Sequence, residues 1–131
     1  MNLLLDTHIA VWAAADLPRL PRAARRLIAD PNNEVVVSVV SLWEIAIKHA
    51  LDRRGARRMQ LPPREAAEAM DASGFRWLEV TRGHVLGVTE LPPLHGDPFD
   101  RLLIAQALSE PLRLLTSDEQ LAAYSDTVIL A

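Results

Sequence analysis

The sequence predicts an α/β fold of three layers (α/β/α), in which a mostly parallel central sheet of about five strands lies between helices. Two observations predict it. Strand-like apolar segments alternate along the chain with segments of helical periodicity, which is typical of parallel sheets covered on both faces. The segments NLLLD, VVVS and LRLLT are also nearly continuous apolar runs, as expected of central strands that are buried on both sides.

The first half of the chain predicts two strands and three helices. NLLLD is the first strand, and THIAVWAAA follows as a helix because its apolar residues recur at helical spacing. Asp16 and Pro18 end that helix, and Pro21 suits the first turn of the next, RAARRLIAD. EVVVS is rich in β-branched residues and predicts the second strand, which is followed by the helix SLWEIAIKHALD.

The second half continues the alternation. RRGARRMQ predicts a basic loop or helix end, and PREAAEAMDAS predicts a helix that Gly74 closes. The remaining elements are the strand RWLEV, a short helix RGHVLGVTE, the rigid loop LPPLHGDP, the helix DRLLIAQALSE, the strand LRLLTSD, the helix EQLAAY and a last strand TVILA. The sequence therefore predicts a single domain over residues 1–131.

Composition excludes several classes of protein. Half of the residues are apolar, but no run approaches the ~18–20 residues of a membrane span. The absence of cysteine excludes disulfides, thiolate metal sites and a cysteine nucleophile. Together with the lack of an export signal, this absence favours a cytoplasmic location. The net charge of −3 disfavours nucleic-acid binding unless acids and arginines cluster at separate places.

Acidic residues stand at the predicted junctions between strands or loops and helices. Asp6 ends NLLLD, Glu44 is predicted in the first turn of the helix after VVVS, Asp100 opens DRLLIAQA, and Asp118 follows LRLLT. Ligands of open parallel sheets bind beyond the carboxyl ends of the strands. If these strands are adjacent, the carboxylates point into one crevice.

The alternative is that each acid only caps a helix, where it contributes about 0.3–1 kcal/mol. The possible caps are Asp6, Asp100, the S-x-x-E capping box of Ser41 with Glu44, and the pair Ser117 with Gln120 beside Asp118. Caps of separate helices have no reason to converge. Two like charges 4 Å apart repel by roughly 4 kcal/mol at an effective dielectric near 20, so converging acids need protons or a cation.

The available ligands decide which cation would fit. Carboxylates and hydroxyls, without thiolates, form a hard, oxygen-rich site that prefers Mg²⁺ or Mn²⁺ to zinc or copper. The histidines form no zinc-type pair. His8 and His95 flank the acids and could contact a substrate, although a role on a helix surface or in a loop is more common.

The segments LLLDTHIAVW, SVVSLWEIAIK, HGDPFDRLLIAQA and LLTSD together resemble the PIN-domain ribonucleases, and more narrowly the VapC-type toxins of bacterial toxin–antitoxin pairs. The resemblance runs from Met1 to the last strand. DPFDRLLIAQA is its most specific part, and the order D, E, D, D at these separations is a strong signal. The resemblance implies a PIN-like fold and Mg²⁺- or Mn²⁺-dependent hydrolysis of RNA phosphodiester bonds.

The family's functional positions can be matched one by one. The resemblance places the metal among the acids Asp6, Glu44, Asp100 and Asp118. Asp97 could help to hold a metal-bound water or could only turn the loop, and the hydroxyls of Thr116 and Ser117 lie beside Asp118 to support it. The resemblance further implies a homodimer and a cognate antitoxin, whose tail fills an apolar groove and delivers a basic side chain to the acids.

Two other features have open interpretations. RRGARR and RLPRAARR are arginine clusters that either contact RNA phosphates or form solvated helix faces; the first contains Arg53, Arg54, Arg57 and Arg58. Trp43, Ile45 and Ile47 alternate around Glu44, which indicates either a helix buried on two sides or an exposed apolar groove.

Other functions are open to the same sequence. One alternative is a structure-specific DNA nuclease with the same acidic site, although 131 residues leave no room for the duplex-binding parts of such enzymes. Another is a catalytically silent PIN domain that binds RNA or protein, which the acids at all four positions disfavour. A receiver or phosphatase is disfavoured because no second acid follows Asp6 at plus two and no glycine-rich phosphate loop is present.

Overall fold

The computed structural model describes residues 1–51, 61–94 and 96–131. Its strands are β1 (Asn2–Leu5), β2 (Glu34–Ser38), β3 (Arg76–Leu78), β4 (Arg113–Thr116) and β5 (Val128–Leu130). Its helices are α1 (Thr7–Ala14), α2 (Arg22–Ala29), α3 (Val39–Leu51), α4 (Pro63–Ala72), α5 (Arg82–Val88), α6 (Pro98–Ser109) and α7 (Glu119–Ala122). Strands and helices therefore alternate as the sequence predicted.

The described strands form one sheet in the order β3-β2-β1-β4-β5, and every pairing is parallel. β1 is central, where Leu4 pairs with Val36 on one side and Leu114 on the other. The chain first builds the sheet outward through β2 and β3, then returns to the far side of β1 for β4 and β5. This reversal is a topological switch point, and it opens a crevice between the carboxyl ends of β1 and β4.

The sheet separates two apolar cores, because successive side chains of a strand point to opposite faces. Leu3 and Leu5 are fully buried against a core shared with α1, α2, α3 and α4, whereas Leu4 is buried on the other face against α6 and α7. The predicted three-layer α/β/α architecture is confirmed.

Two helices begin earlier than the sequence predicted. α3 begins at Val39, where the Ser38 hydroxyl accepts a hydrogen bond from the Val40 N–H at 3.0 Å. Glu44 consequently lies in the second turn of α3, and its predicted place in the first turn is wrong. α6 begins at Pro98, because proline suits a first turn and the preceding Asp97 caps it.

None of the helices in the described part of the chain is long and apolar enough to cross a membrane.

Truncating a buried side chain of the central strand β1 should lower the free energy of unfolding strongly. Leu4→Ala should lower the free energy of unfolding by about 3 kcal/mol, because Leu4 is fully buried and the deletion leaves a cavity between sheet and helices. Leu86→Ala on α5, where the side chain is exposed, is the matched control and should cost about 0.5 kcal/mol or less. Urea unfolding measures both, and equal losses would contradict the assigned burial.

Candidate active site

Acidic side chains from several elements line one cleft of about 260 Å³ at the carboxyl ends of the strands. Its walls are Asp6, His8, Glu44, Lys48, Asp97, Asp100, Ser117 and Asp118. The cleft lies at the switch point between β1 and β4, where this sheet order places a ligand site. The structure thus brings together all four acids that the sequence singled out.

A larger hollow of about 540 Å³ lies at the opposite edge of the sheet, beside Glu34 and Arg76 at the starts of β2 and β3. These two side chains pair with each other at 2.6 Å. The larger hollow is therefore not the candidate site, because the acidic side chains converge in the smaller cleft.

Asp6 lies at the end of β1, with 7% of its surface exposed. Its backbone N–H donates to the Leu115 carbonyl of β4 at 3.0 Å, and its Oδ2 accepts a hydrogen bond from the Thr116 hydroxyl at 2.5 Å. It precedes α1, but its side chain makes no capping hydrogen bond, so the capping alternative is wrong for this residue. Burial raises the pKa of the Asp6 carboxyl, and the Thr116 hydrogen bond only partly opposes this.

Glu44 is 3% exposed, and protein donors hold both of its carboxylate oxygens. The Thr7 hydroxyl donates to Oε1 at 2.6 Å, and the Lys48 ammonium pairs with Oε2 at 2.5 Å. Ser41 lies 2.9 Å from the Thr7 hydroxyl, which belongs to another helix. The proposed capping box of Ser41 with Glu44 is therefore wrong, and both side chains take part in a buried polar cluster between α1 and α3.

Asp97 and Asp100 occupy the start of α6. Asp97 is the cap, because its Oδ1 accepts hydrogen bonds from the N–H groups of Phe99 at 2.8 Å and Asp100 at 3.2 Å. Asp100 lies inside the first turn and lines the cleft, so it is not the N-cap. Asp97 lines the cleft as well, so it turns the loop and also remains available for a role in binding.

β4 ends in a relay of hydrogen bonds that joins Asp118 to Asp6. The Asp118 N–H donates to the Thr116 hydroxyl at 3.0 Å, and that hydroxyl donates onward to Asp6. Asp118 caps α7 by accepting from the Gln120 N–H at 2.9 Å, so the cap is Asp118 and the predicted pair of Ser117 with Gln120 is wrong. Ser117 is exposed and lines the cleft.

The donor set fits a hard divalent cation in its chemistry, since the acids and hydroxyls around the cleft offer oxygen ligands. Across residues 1–51, 61–94 and 96–131, however, no three His, Asp or Glu side chains already form a group that could hold a metal ion. Hydrogen bonds to the protein hold Asp6, Glu44, Asp97 and Asp118 instead.

The remaining sequence candidates fall into two groups. His8 lines the cleft and packs against Trp12 with the ring centroids 5.6 Å apart. Arg53, Arg54, Arg57 and Arg58, as well as His95, lie outside the described residues. In the other arginine cluster Arg19 lies over the Trp12 ring and Arg25 pairs with Asp16, and none of its members lines the cleft.

The apolar residues of α3 do not share one environment. Ile45 is fully buried, but Trp43 is 53% exposed and Ile47 is also exposed. The Trp43 ring packs edge-on against Phe99 of α6, with the centroids 4.9 Å apart. Two-sided burial is therefore wrong for Trp43 and Ile47, and α3 presents an exposed apolar face next to the cleft.

Sequence reasoning missed two functional candidates, Lys48 and Thr7. Lys48 lies one helical turn after Glu44, which is the spacing of a paired acid and base on one helix face. This spacing could have indicated the Glu44–Lys48 ion pair from the sequence. The contact of Thr7 with Glu44 joins two helices and had no local signal.

The raised pKa of Asp6 predicts how stability depends on pH. The folded chain binds the Asp6 proton more tightly than the unfolded chain does, so stability should fall as pH rises from the usual value of 3.8 through the raised folded pKa. Asp6→Asn cannot ionise, and its side-chain oxygen can still accept from Thr116. It should be more stable than the wild type at pH 7 in EDTA, with the advantage vanishing below pH 3.8.

Thermal unfolding in EDTA across this pH range measures the difference in melting temperature between Asp6→Asn and the wild type. Asp126→Asn removes an exposed carboxylate and is the control, so its melting temperature should stay close to that of the wild type at each pH. A lower melting temperature of Asp6→Asn at pH 7 would contradict the predicted cost of burying this carboxylate.

Comparisons with known proteins agree with the fold. The family model "PIN domain" matches residues 3–126. The chain is 30% identical to Ribonuclease VapC22 of Mycobacterium tuberculosis over 94% of this chain and 92% of the relative.

Solved structures share the fold at lower identity. The VapBC2 complex of Rickettsia felis, bound to a DNA fragment from its promoter, gives a TM-score of 0.67 at 18% identity, covering 100% of this chain and 98% of the other. A toxin–antitoxin complex from Klebsiella pneumoniae gives 0.63 at 18% identity, covering 97% and 95%. The extent of the family match and the identity to the VapC relative lead to one conclusion: this chain belongs to the PIN-domain family.

Proposed function

We propose that this protein is a VapC-type toxin, a cytoplasmic Mg²⁺- or Mn²⁺-dependent endoribonuclease that a cognate antitoxin inhibits. The observation that carries the proposal is the convergence of Asp6, Glu44, Asp100 and Asp118 in one cleft at the switch point of a parallel sheet. The name of the relative, a ribonuclease 30% identical over nearly the whole chain, supports RNA as the substrate.

Those four acids are the residues that would hold the cation, with Asp97 as a further candidate. When bound, the cation supplies Lewis-acid polarisation of the scissile phosphate and lowers the pKa of a nearby water. The need for it follows from charge, because a cleft lined by carboxylates repels a phosphodiester unless positive charge balances the acids.

The protein's own residues orient the carboxylates and accept the proton that the attacking water loses. Hydrolysis needs an oxygen that accepts a proton from the attacking water, and the cleft carboxylates supply it. Thr7 and Thr116 fix the orientations of Glu44 and Asp6 through hydrogen bonds of 2.6 and 2.5 Å. Because these threonines are fully buried, the two carboxylates are held in place before substrate arrives.

RNA contact outside the cleft is assigned to Arg53, Arg54, Arg57 and Arg58. These residues lie outside the described part of the chain, so their proposed role rests on sequence alone. Arginines that contact phosphates raise affinity without reading base sequence. This assignment would reconcile nucleic-acid binding with a net charge of −3.

The proposed protein partner is the antitoxin, and solved structures similar in fold are toxin–antitoxin complexes. We assign the antitoxin contact to the exposed apolar face of α3, formed by Trp43, Ile47 and Leu51 at successive turns. This face borders the cleft through Glu44 and Lys48, so a segment bound there can also cover the acids. The homodimer that the family resemblance implies stays a prediction.

Single substitutions in the cleft test the nuclease proposal. Asp100→Asn and Asp6→Asn should each lower the cleavage of single-stranded RNA by about 100-fold or more, because each removes a negative charge needed to hold the cation. Glu68→Gln on α4, where the side chain is exposed, removes the same charge elsewhere and should keep wild-type activity. The assay compares RNA with DNA of the same sequence, with Mn²⁺ or with EDTA.

Full RNA cleavage by folded Asp100→Asn or Asp6→Asn would sink the assignment of the acids. Cleavage of DNA but not RNA would favour the structure-specific DNA nuclease, and RNA binding without cleavage by the wild type would favour a silent domain.

The assignment of the antitoxin surface makes a separate prediction. Trp43→Ser should weaken binding of the cognate antitoxin by about 30-fold, since a large exposed aromatic at an interface centre commonly dominates the binding energy. RNA cleavage by the free toxin should stay unchanged. Val85→Ser, which removes an equally exposed apolar side chain on α5, is the control, and calorimetry measures the affinities. Equal affinities of the wild type and Trp43→Ser for the antitoxin would contradict the assignment of the antitoxin contact to this face.

A further inference from the structure

Lys48 is the only lysine in the sequence, beside thirteen arginines. It lines the cleft with the acids, and its ammonium pairs with Glu44 at 2.5 Å. Apart from the four histidines, every other basic side chain of the sequence is an arginine, yet the position on α3 that lines the acidic cleft is a lysine. The difference between the two side chains therefore bears on what this residue does.

An ammonium and a guanidinium behave differently beside a carboxylate. Arginine presents a rigid planar fork that binds carboxylates through two parallel hydrogen bonds. Lysine is a compact, strongly hydrated charge on a flexible stem, and it makes fewer directional contacts. A lysine can consequently neutralise a carboxylate and still leave it at low cost when another cation arrives.

The surroundings of the pair favour such an exchange. The Glu44 side chain is 4% exposed, so its negative charge needs a partner inside the protein. Thr7 supplies a hydrogen bond to one carboxylate oxygen but no charge. Lys48 supplies the charge to the other oxygen, and its own side chain is 27% exposed. Its ammonium can therefore turn towards water without disturbing either apolar core.

We propose that Lys48 is a positioning residue that acts as the internal counter-ion of Glu44 and leaves this carboxylate when the divalent cation binds. The inference rests on the proposed function, because it needs the cleft to take Mg²⁺ or Mn²⁺. Lys48 holds Glu44 in the cleft before the cation arrives, and it competes with that cation for the same oxygen. Cation uptake is therefore an exchange of one positive charge for another.

In the described structure the carboxylate oxygens of Glu44 and Asp6 that the exchange concerns already have partners in the protein. With Oε2 of Glu44 paired to Lys48 and Oδ2 of Asp6 bonded to Thr116, these carboxylates are directed to protein partners. In this structure Lys48 supplies the positive charge beside Glu44. Release of Lys48 would free Oε2 of Glu44, a residue that lines the cleft together with the other acids.

Being unique, Lys48 can be observed directly in the unmodified protein. Growth on ¹³C-labelled lysine gives a single side-chain Cε signal by NMR. Titration with Mg²⁺ should move this signal towards that of a solvated lysine, and the change should saturate at the concentration at which calorimetry shows cation binding. This measurement needs no variant and does not depend on catalysis.

Calorimetry of variants tests the competition. Lys48→Met should bind Mg²⁺ about fivefold more tightly than the wild type, because a partly exposed ion pair no longer competes. Lys48→Met should also melt at a lower temperature than the wild type in EDTA, and its melting temperature should rise more than that of the wild type when Mg²⁺ is added. Lys48→Arg keeps the charge but can hold the carboxylate through two parallel hydrogen bonds, so it should bind Mg²⁺ more weakly than the wild type and should not melt at a lower temperature in EDTA.

Arg113→Met is the matched control. It removes one positive charge at the start of β4, the end of that strand away from the cleft, and should leave Mg²⁺ affinity unchanged. A similar gain in Arg113→Met and Lys48→Met would attribute the effect to net charge and would overturn the inference.

The outcomes separate the inference from the proposed function. If the wild type binds Mg²⁺ while the lysine signal stays in place, Lys48 is not exchanged, and the inference falls while the metal-dependent nuclease stands. If the wild type takes up neither Mg²⁺ nor Mn²⁺, both fall together. A saturable movement of the signal with tighter binding by Lys48→Met supports the exchange.

Discussion

The parallel pairing of β1 with β4 is the constraint on which the cleft depends. The register joins Leu5 to Leu115, so the next residues, Asp6 and Thr116, meet beyond the last pair. Since β2 lies on the other side of β1, the helix that follows β2 brings Glu44 to the same place. One slip of this register would turn Asp6 into the opposite face of the sheet and separate it from Thr116.

Electrostatics sets the second requirement, because carboxylates gathered in one cleft repel each other. The described structure meets it locally, through hydroxyl donors to Asp6 and Glu44, helix N–H groups to Asp97 and Asp118, and the ammonium of Lys48. Burial of Asp6 still raises its pKa, so the hydrogen bonds compensate incompletely. The proposed cation would supply further positive charge at this cleft, and this would link the stability of the site to its chemistry.

Capping and site formation use the same side chains in part of this cleft. Asp97 and Asp118 each cap a helix and also line the cleft, whereas Asp6 and Glu44 cap nothing. The sequence could not distinguish an acid that caps a helix from an acid that only lines the cleft, because the local pattern of an acid near a helix start is the same in both cases. The helix start decides between them, and Ser38 and Asp97 moved the starts of α3 and α6 by two residues from the predicted positions.

The sequence by itself determined the alternation of strands and helices, the bounds of β2, and the edge of the sheet at which the acids gather, because periodicity and strand ends are local properties of the chain. Only the tertiary structure decided which partner each acid has. Thr7 lies 37 residues from Glu44, and Thr116 lies 110 residues from Asp6. Such contacts depend on strand order and helix packing, which no short stretch of sequence encodes. The exposure of Trp43 and Ile47 was likewise undecided, since the apolar pattern of α3 is the same whether a neighbouring element covers that face or leaves it open.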